Sequence, residues 1–370
     1  MSNQELQESI TVLERQLAEA GADRELTLEL ADAYRLAGRP ADAARLLARR
    51  LAEGGPDWDL CRACVECHRD AGHMEEAVEV LNRGAAHYRD RADFWIVRGM
   101  MLELMGEWSA ALREHDLAQR MAPHMAEAHY RRGIALLQLE RAAEAIEAFQ
   151  RALKLKPRLA AAQVGIGIAR ELLGDAYQAV VEFEKALQLD PQCADAHINL
   201  GALYGELGRA AEALAHCEKA LALHPASSEA AYNAGQALLE SDPEQAARFF
   251  RRATASDPDN HAAHLALARL AERAGRWETA VRHYLKARAG DPGRGETLLA
   301  LGICYGRLER ASEAIEVLRA LIKRDPGHEQ GWFHLGVCYD KQGDTDRARE
   351  AYAKAEECRV ASGDGGRADR

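Results

Sequence analysis

Prolines recur along this chain at an almost constant spacing. Five of the six intervals between them are 34 residues long and one is 33. They stand at Pro123, Pro157, Pro191, Pro225, Pro258, Pro292 and Pro326. A fixed period of this length indicates stacked supersecondary units rather than one globular core. The period therefore constrains the fold more strongly than the length of the chain does.

Small residues recur in the same frame. The eighth position of each unit is glycine or alanine, except in the second unit, which has Val65. An alanine such as Ala145 recurs in every second half, and a turn glycine such as Gly174 usually separates the halves. This pattern predicts two closely packed helices per unit. The units begin at Arg24, Trp58, Ala92, Ala126, Ala160, Ala194, Ser228, His261, Gly295 and Glu329.

The fourth unit shows the pattern most fully. It has small, large, small, aromatic, small and proline residues at Gly133, Leu136, Ala145, Phe149, Ala152 and Pro157. Because ten units follow this frame, the chain resembles the tetratricopeptide repeat family. The resemblance implies an all-α fold, a right-handed superhelical solenoid of stacked antiparallel helix pairs. It also implies that the first helix of each pair lines a concave groove.

We expect three kinds of segment along the chain. Residues 1–23 should form a capping helix, because Leu6, Ile10, Leu13 and Leu17 follow a helical spacing. Residues 361–370 should form a disordered tail. The ten repeats should cover 24–57, 58–91, 92–125, 126–159, 160–193, 194–227, 228–260, 261–294, 295–328 and 329–360.

The seventh repeat is one residue short. Ser241, Asp242 and Pro243 replace its glycine turn. Because proline fits the first turn of a helix, we expect a tighter turn there and an uninterrupted stack.

Composition and motifs argue against an enzyme. The chain has no glycine-rich phosphate loop, nucleophile elbow or metalloprotease helix motif, and no cofactor is expected. The net charge of −11 with dispersed basic residues argues against nucleic acid as a partner. The polar N-terminus, the lack of a long apolar stretch and eight cysteines predict no membrane association, and a reducing, cytoplasmic location.

The groove residues follow from the family frame, in which positions 2, 5, 9, 12 and 13 of a repeat face the concave surface. These offsets also form one stripe on a helix. Repeats three to five should present an apolar floor of Ile96, Met100, Tyr130, Ile134, Val164 and Ile168. Repeats six and seven should present Ile198, Asn199, Tyr232, Asn233 and Gln236. Repeats eight to ten should present Arg269, Arg273, Arg307, Phe333 and Lys341.

These residues predict a non-catalytic scaffold or adaptor that binds a peptide or a partner helix in its groove. Its ligand would carry apolar anchors for the floor and an acidic segment for the basic residues. One alternative is self-assembly through an open C-terminal end, which would make the protein a homo-oligomer.

A second alternative lies in the second repeat, which contains Cys61, Cys64, Cys67 and His68. Three of these residues share one helix face, and thiols with an imidazole could bind zinc or part of an iron–sulfur cluster. The same positions should face the core, where cysteine packs as a small apolar residue. We therefore expect no metal here, and a metal- or redox-dependent function remains the alternative of another class.

Overall fold

The computed structural model describes residues 3–21 and 23–364 of the chain. All secondary structure in this part is α-helical, which confirms the expected fold class. The chain divides into an N-terminal unit that ends at Cys193 and a C-terminal unit that begins at Ala194. Within each unit, every helix packs against the next one along the chain.

Residues 3–21 and 23–193, the described part of the N-terminal unit, form eleven helices. They are α1 Asn3–Ala20, α2 Arg24–Leu36, α3 Pro40–Gly54, α4 Trp58–Asp70, α5 Met74–Tyr88, α6 Ala92–Leu104, α7 Trp108–Met121, α8 Ala126–Gln138, α9 Ala142–Leu155, α10 Ala160–Leu172 and α11 Ala176–Leu189. After α1, the helices form five pairs, and the first helix of each pair begins where a repeat of the sequence frame begins.

In the C-terminal unit, the described residues 194–364 form ten helices in five pairs. They are α12 Ala194–Glu206, α13 Ala210–Leu223, α14 Ser228–Leu238, α15 Pro243–Ser256, α16 His261–Arg273, α17 Trp277–Gly290, α18 Gly295–Arg307, α19 Ala311–Arg324, α20 Glu329–Lys341 and α21 Thr345–Asp364. Helix α21 continues four residues into the segment expected to be a disordered tail, and residues 365–370 lie outside the described residues.

Local sequence signals set the helix boundaries. The Asp57 carboxylate accepts a hydrogen bond from the Leu60 amide at 3.0 Å, and the Asn260 side chain caps α16 in the same way. Between paired helices, glycines such as Gly174 adopt a φ of 77°, which suits a residue without a Cβ. Glu140 and Glu309 take the same turn position with φ of 57° and 59°. At these two turns a glutamate adopts a left-handed backbone conformation that is unfavourable for a residue with a Cβ.

The short seventh repeat differs from the others in its first helix and in the turn that follows. Helix α14 ends at Leu238, and Pro243 is the first residue of α15. The Asp242 carboxylate accepts from the Gln245 amide at 2.9 Å, so the aspartate caps the helix that the proline opens. The connection is thus the four residues 239–242, against the three residues 139–141 in repeat four, and α14 has 11 residues against 13 in α8. The expectation of a tighter turn is therefore wrong: the missing residue shortens the first helix, because the Asp242 cap and Pro243 fix where α15 begins. Helix α14 still packs against α15.

The interior of a pair depends on a glycine beneath a large side chain. A Cβ added at Gly133 would lie 2.5 Å from Cε1 of Phe149, and one added at Gly235 would lie 2.6 Å from Cε1 of Phe250. Both rings are fully buried. In these repeats the small residue therefore leaves the space into which a ring of the second helix packs. Cys217 and Leu318 occupy the equivalent space above Gly201 and Gly302.

Two pairs in the C-terminal unit contain histidine dyads at the same repeat positions. The Nδ1 atoms of His264 and His283 lie 3.0 Å apart, and those of His197 and His216 lie 2.9 Å apart. His264 Nε2 donates to the Pro258 carbonyl at 3.2 Å, so its Nδ1 accepts a hydrogen bond from His283. Burial, and then the facing histidine, lower the pKa of His216 and of His283 to about 4.

Helix α1 packs against α2 through its apolar face. Leu6 and Ile10 are buried with Leu30 and Ala33, and Leu13 and Leu17 lie against this cluster. None of the helices among the described residues has the length and apolarity needed to cross a membrane.

Candidate functional site

A large cavity opens on the first helices of repeats seven to nine, within the C-terminal unit. Its volume is about 690 Å³, and it runs along the exposed face of α16 between α14 and the start of α18. Four residues expected in the groove lie together in its wall: Tyr232, Gln236, Arg269 and Arg273. The structure thus gathers part of the predicted stripe into one concave site.

Helical spacing places apolar and basic side chains on the same face of α16. Ala262, Leu265, Arg269 and Arg273 follow steps of three or four residues, so their side chains line one stripe. Leu265 is half-buried, whereas both arginines are exposed. The cavity therefore has an apolar floor beneath a basic rim.

Tyr232 is held firmly at the edge of the cavity. Its ring centroid lies 5.8 Å from that of Phe250, and its hydroxyl accepts a hydrogen bond from Gln236 Nε2 at 2.9 Å. Burial raises the pKa of Tyr232, so the phenol stays neutral and can still donate. The tyrosine thus offers a ring face and one directed donor to a ligand.

The rim has a small excess of positive charge, because its three arginines face Asp291 in the lining and Glu296 beside it. Arg294 also lines the cavity, just before α18. The sequence did not indicate it, because it lies in the turn and not on the groove stripe. Glu296 pairs with Arg269 at 2.9 Å and with Arg294 at 3.6 Å. Arg273 forms no ion pair with any residue that the structure describes. A ligand carboxylate can therefore bind Arg273 without displacing another side chain. To bind Arg269 or Arg294, it would replace the exposed Glu296, whose surface ion pairs contribute little stability.

The expected basic ladder is only partly available to a ligand. Lys341 Nζ donates to the Gly306 carbonyl at 2.6 Å, and Arg307 Cζ lies 5.8 Å from the centre of the Trp277 ring. Both side chains thus reach back to the preceding repeat. They line a second cavity of about 290 Å³ between α18 and α20, together with Phe333, which is 49% exposed.

Both groove asparagines are partly covered by their surroundings. Asn199 Nδ2 donates to the Asp195 carbonyl at 2.8 Å within α12, and Asn233 is half-buried. Ile198 packs beside the core of the seventh repeat. These three residues contribute little open surface to a ligand.

In the N-terminal unit, the expected apolar floor is largely part of the core. Ile96 and Val164 are buried, and Met100, Tyr130, Ile134 and Ile168 are half-buried. The Tyr130 ring centroid lies 5.8 Å from that of Phe149. Much of this floor therefore stabilises the stack.

Exposed leucines at the end of the first helices are a surface that the sequence reasoning did not select. Leu36, Leu104 and Leu172 are 76%, 56% and 54% exposed, and each is the last residue of its helix. They share position 13, from which the basic ladder was taken. That offset was the signal that could have found them.

The cysteine cluster lies in the interior. Cys61 packs with Trp58 and Tyr88, whereas Cys64 and Cys67 pack in a separate cluster. Burial raises the pKa of Cys61 and of Cys67 to about 11 and that of Cys64 to about 12, and it lowers the pKa of His68. In the part of the chain that the structure covers, no three or more His, Cys, Asp or Glu side chains form a group that could hold a metal ion.

Comparison with known proteins places these features in a family. Sequence models of the tetratricopeptide repeat match residues 36–100 and 237–301, residues 126–159 and 194–227, and residues 299–362. A further TPR repeat model matches residues 172–208. The chain belongs to the tetratricopeptide repeat family. These repeats support a role as a protein–protein interaction scaffold, a class that is typically non-catalytic.

Solved structures share the fold. A tetratricopeptide repeat protein from Parabacteroides merdae has a TM-score of 0.56 and 20% identity, over 66% of this chain and 97% of that one. PilF from Pseudomonas aeruginosa has a TM-score of 0.52 and 22% identity, over 56% of this chain and 94% of that one. At such identities the likeness shows the fold alone. No curated protein matches the sequence.

Proposed function

We propose that this protein is a non-catalytic scaffold whose C-terminal unit binds an acidic segment of a partner protein. The observation that carries the proposal is the cavity of about 690 Å³ whose apolar floor is rimmed by Arg269, Arg273 and Arg294. A chain with a net charge of −11 has here a local concentration of basic side chains. The ligand that complements this site bears carboxylates beside an apolar residue.

The rim suits an extended segment. An extended chain has main-chain N–H and C=O groups that need partners. Gln236 and the Tyr232 hydroxyl can pair with them, and the arginines can bind carboxylates through two parallel hydrogen bonds. An apolar ligand residue would contact Leu265 and Ala266 in the floor. Apolar contact should set most of the affinity, and the exposed arginines should mainly speed and orient association.

A selection of phage-displayed random peptides on the full chain tests the proposal. We expect enrichment of peptides that contain aspartate or glutamate near an apolar residue. A selected peptide should bind Arg273→Glu with Arg294→Glu about tenfold more weakly at low salt, with a smaller loss at high salt. Tyr232→Ala with Leu265→Ala should weaken binding at any ionic strength. The measurement is fluorescence anisotropy of the labelled peptide.

Arg248→Glu with Arg251→Glu is the matched control, because these exposed arginines lie on α15 outside the cavity. It changes the net charge by the same amount. If the selected peptides bind the two cavity variants as tightly as they bind the control and the wild type, the ligand does not use this cavity. Self-association through the C-terminal end stays a prediction, and a sedimentation measurement of the same samples would detect it.

A further inference from the structure

A second surface lies in the N-terminal unit, where the first helices of repeats three and five end. We use the name leucine edge for the exposed apolar side chains at and just after these two turns. Its members are Leu104, Met105, Leu172, Leu173 and Tyr177. Isolated exposed leucines are ordinary, but Leu104 and Met105 stand at the same repeat positions as Leu172 and Leu173. Tyr177, in the first turn of α11, adds a fifth exposed apolar side chain, and such a group indicates a contact surface.

The leucine edge continues the half-buried part of the groove. Positions 5, 9 and 13 form one stripe on each first helix, so Leu104 follows Met100 and Leu172 follows Ile168. Exposure increases along the stripe, from the buried Ile96 through the half-buried Met100 to Leu104. A partner would therefore contact apolar surface continuously from the groove to its edge.

The chemistry of the stripe favours a helical partner. Positions 5, 9 and 13 of repeats three to five are nine side chains, of which only Tyr130 and Gln138 contain polar atoms. The neighbouring positions 2 and 12 add carboxylates, such as Glu127 and Glu171, which accept hydrogen bonds but cannot donate to a main-chain carbonyl. An extended segment would lay its main-chain N–H and C=O groups against apolar surface without partners. A helix satisfies those groups internally and presents only side chains. The cavity of the C-terminal unit, with its polar rim, lacks this restriction.

Spacing and charge define the helix further. Leu104 and Leu172 are two repeats apart, roughly 20 Å at about 10 Å per layer. A helix covers that distance in about 13 residues, so an amphipathic helix of some five turns can contact both. Glu107 and Glu140 are exposed beside the edge, and neither forms an ion pair with the described residues. They would face the polar side of the bound helix.

We infer that the leucine edge binds a basic amphipathic helix of a partner protein. Leucine or similar anchors on one face of that helix would contact Leu104, Leu172 and their neighbours. Lysine or arginine on its flanks would face Glu107 and Glu140. This site is separate from the cavity of the C-terminal unit and takes a ligand of opposite charge, so either site can exist without the other.

Three labelled peptides of 18 residues test the inference on the full chain. The first is an amphipathic helix of leucine and lysine, the second has prolines in place of two central residues, and the third has glutamate in place of lysine. We expect the first to bind with the highest affinity and the other two at least tenfold more weakly. Equal binding of the proline peptide, or no binding of the first peptide, would overturn the inference.

Variants then locate the site. Leu104→Ser with Leu172→Ser should weaken binding of the leucine–lysine peptide at least tenfold. Leu285→Ser, at an exposed leucine of α17 in the C-terminal unit, should leave it unchanged. Glu107→Lys with Glu140→Lys should weaken binding most at low salt, whereas Glu218→Lys with Glu316→Lys should have a smaller effect. Binding that is equally sensitive to the control variants would show non-specific attraction to an acidic protein.

Discussion

The two units are built on one interior and differ on the face that their first helices expose. Gly133 beneath Phe149 in the N-terminal unit is matched by Gly235 beneath Phe250 in the C-terminal unit. Position 13, in contrast, is leucine in three repeats of the N-terminal unit and arginine or lysine in three repeats of the C-terminal unit. The repeat frame thus fixes the core and leaves the groove free to vary, because stacking constrains only the inward side chains.

The shared interior gives the largest expected effect. Gly133→Leu and Gly235→Leu should each lower the free energy of unfolding by roughly 3 kcal/mol, because the new side chain would occupy the space of a buried ring. The measurement is denaturant unfolding. Gly205→Ala in α12 is the control, since a Cβ there meets nothing within 4 Å and should stabilise by up to about 1 kcal/mol. Tolerance in one unit alone would mean that the two interiors are not equivalent.

The rates at which the thiols react show whether either unit contains a reactive cysteine. Cys61, Cys64 and Cys67 should react with a thiol reagent at pH 8 at least about a hundredfold more slowly than Cys193 or Cys358, because burial raises their pKa. Mass spectrometry of the labelled protein measures the rates. Stoichiometric zinc or iron in the purified protein, or faster labelling after a chelator is added, would favour the metal-dependent alternative.

Acid should destabilise the C-terminal unit through its histidine dyads. In the folded protein the pKa of His216 and of His283 is about 4, against an ordinary value of 6.5. The neutral histidines therefore contribute their full stabilisation of the fold above pH 6.5, and this contribution is lost as the pH falls towards 4. The full shift would correspond to roughly 3 kcal/mol per dyad. Because His216 and His283 are only half-buried, solvent screening should reduce the loss to about 2 kcal/mol per dyad.

A variant that copies the seventh repeat isolates this effect from carboxylate titration. That repeat has Ala231 and Phe249 at the dyad positions, so His197→Ala with His216→Phe transfers its pair to the sixth repeat. The pH dependence of the unfolding free energy between pH 6.5 and 4 should become shallower in the variant. An unchanged slope would assign the acid sensitivity to other groups.

The smallest expected effect tests a feature that both units share. Glu140 and Glu309 stand at turn positions with positive φ, one in each unit. Glu140→Gly and Glu309→Gly should each stabilise by about 0.5 kcal/mol, because the relief of backbone strain exceeds the greater entropy of glycine in the unfolded chain. Thermal unfolding measures the change. Destabilisation in the N-terminal unit alone would assign the Glu140 side chain a structural contact.

The sequence was sufficient to predict the all-α class and the helix pairs. The repeat frame starts at Arg24, Trp58 and their eight equivalents, and the first helices begin at those same residues. These features follow from local chemistry: caps, turn glycines and the period of small residues all lie within one repeat. The Asp242–Pro243 turn belongs to the same class, because an N-cap and a proline act on neighbouring residues.

The groove was predicted less completely. Ile96 and Leu104 are both aliphatic and lie on one stripe of α6, yet the first is buried and the second is 56% exposed. Arg307 and Lys341 share position 13 with Arg273, yet each contacts the preceding repeat. Residue type and repeat position could not separate these cases, since exposure depends on how deeply neighbouring repeats cover each side chain.

The repeat, its helices and the recurrence of small residues between paired helices could be predicted from the amino-acid sequence, because each of these is specified by residues close together in the chain. The exposure of each groove residue could be read from the tertiary structure but not from the sequence. The same holds for the cavity that Arg294 lines with Arg269 and Arg273, and for the burial of the thiols of the second repeat in two clusters. Those outcomes depend on contacts between residues of different helices and repeats, whose distances a periodic pattern does not contain.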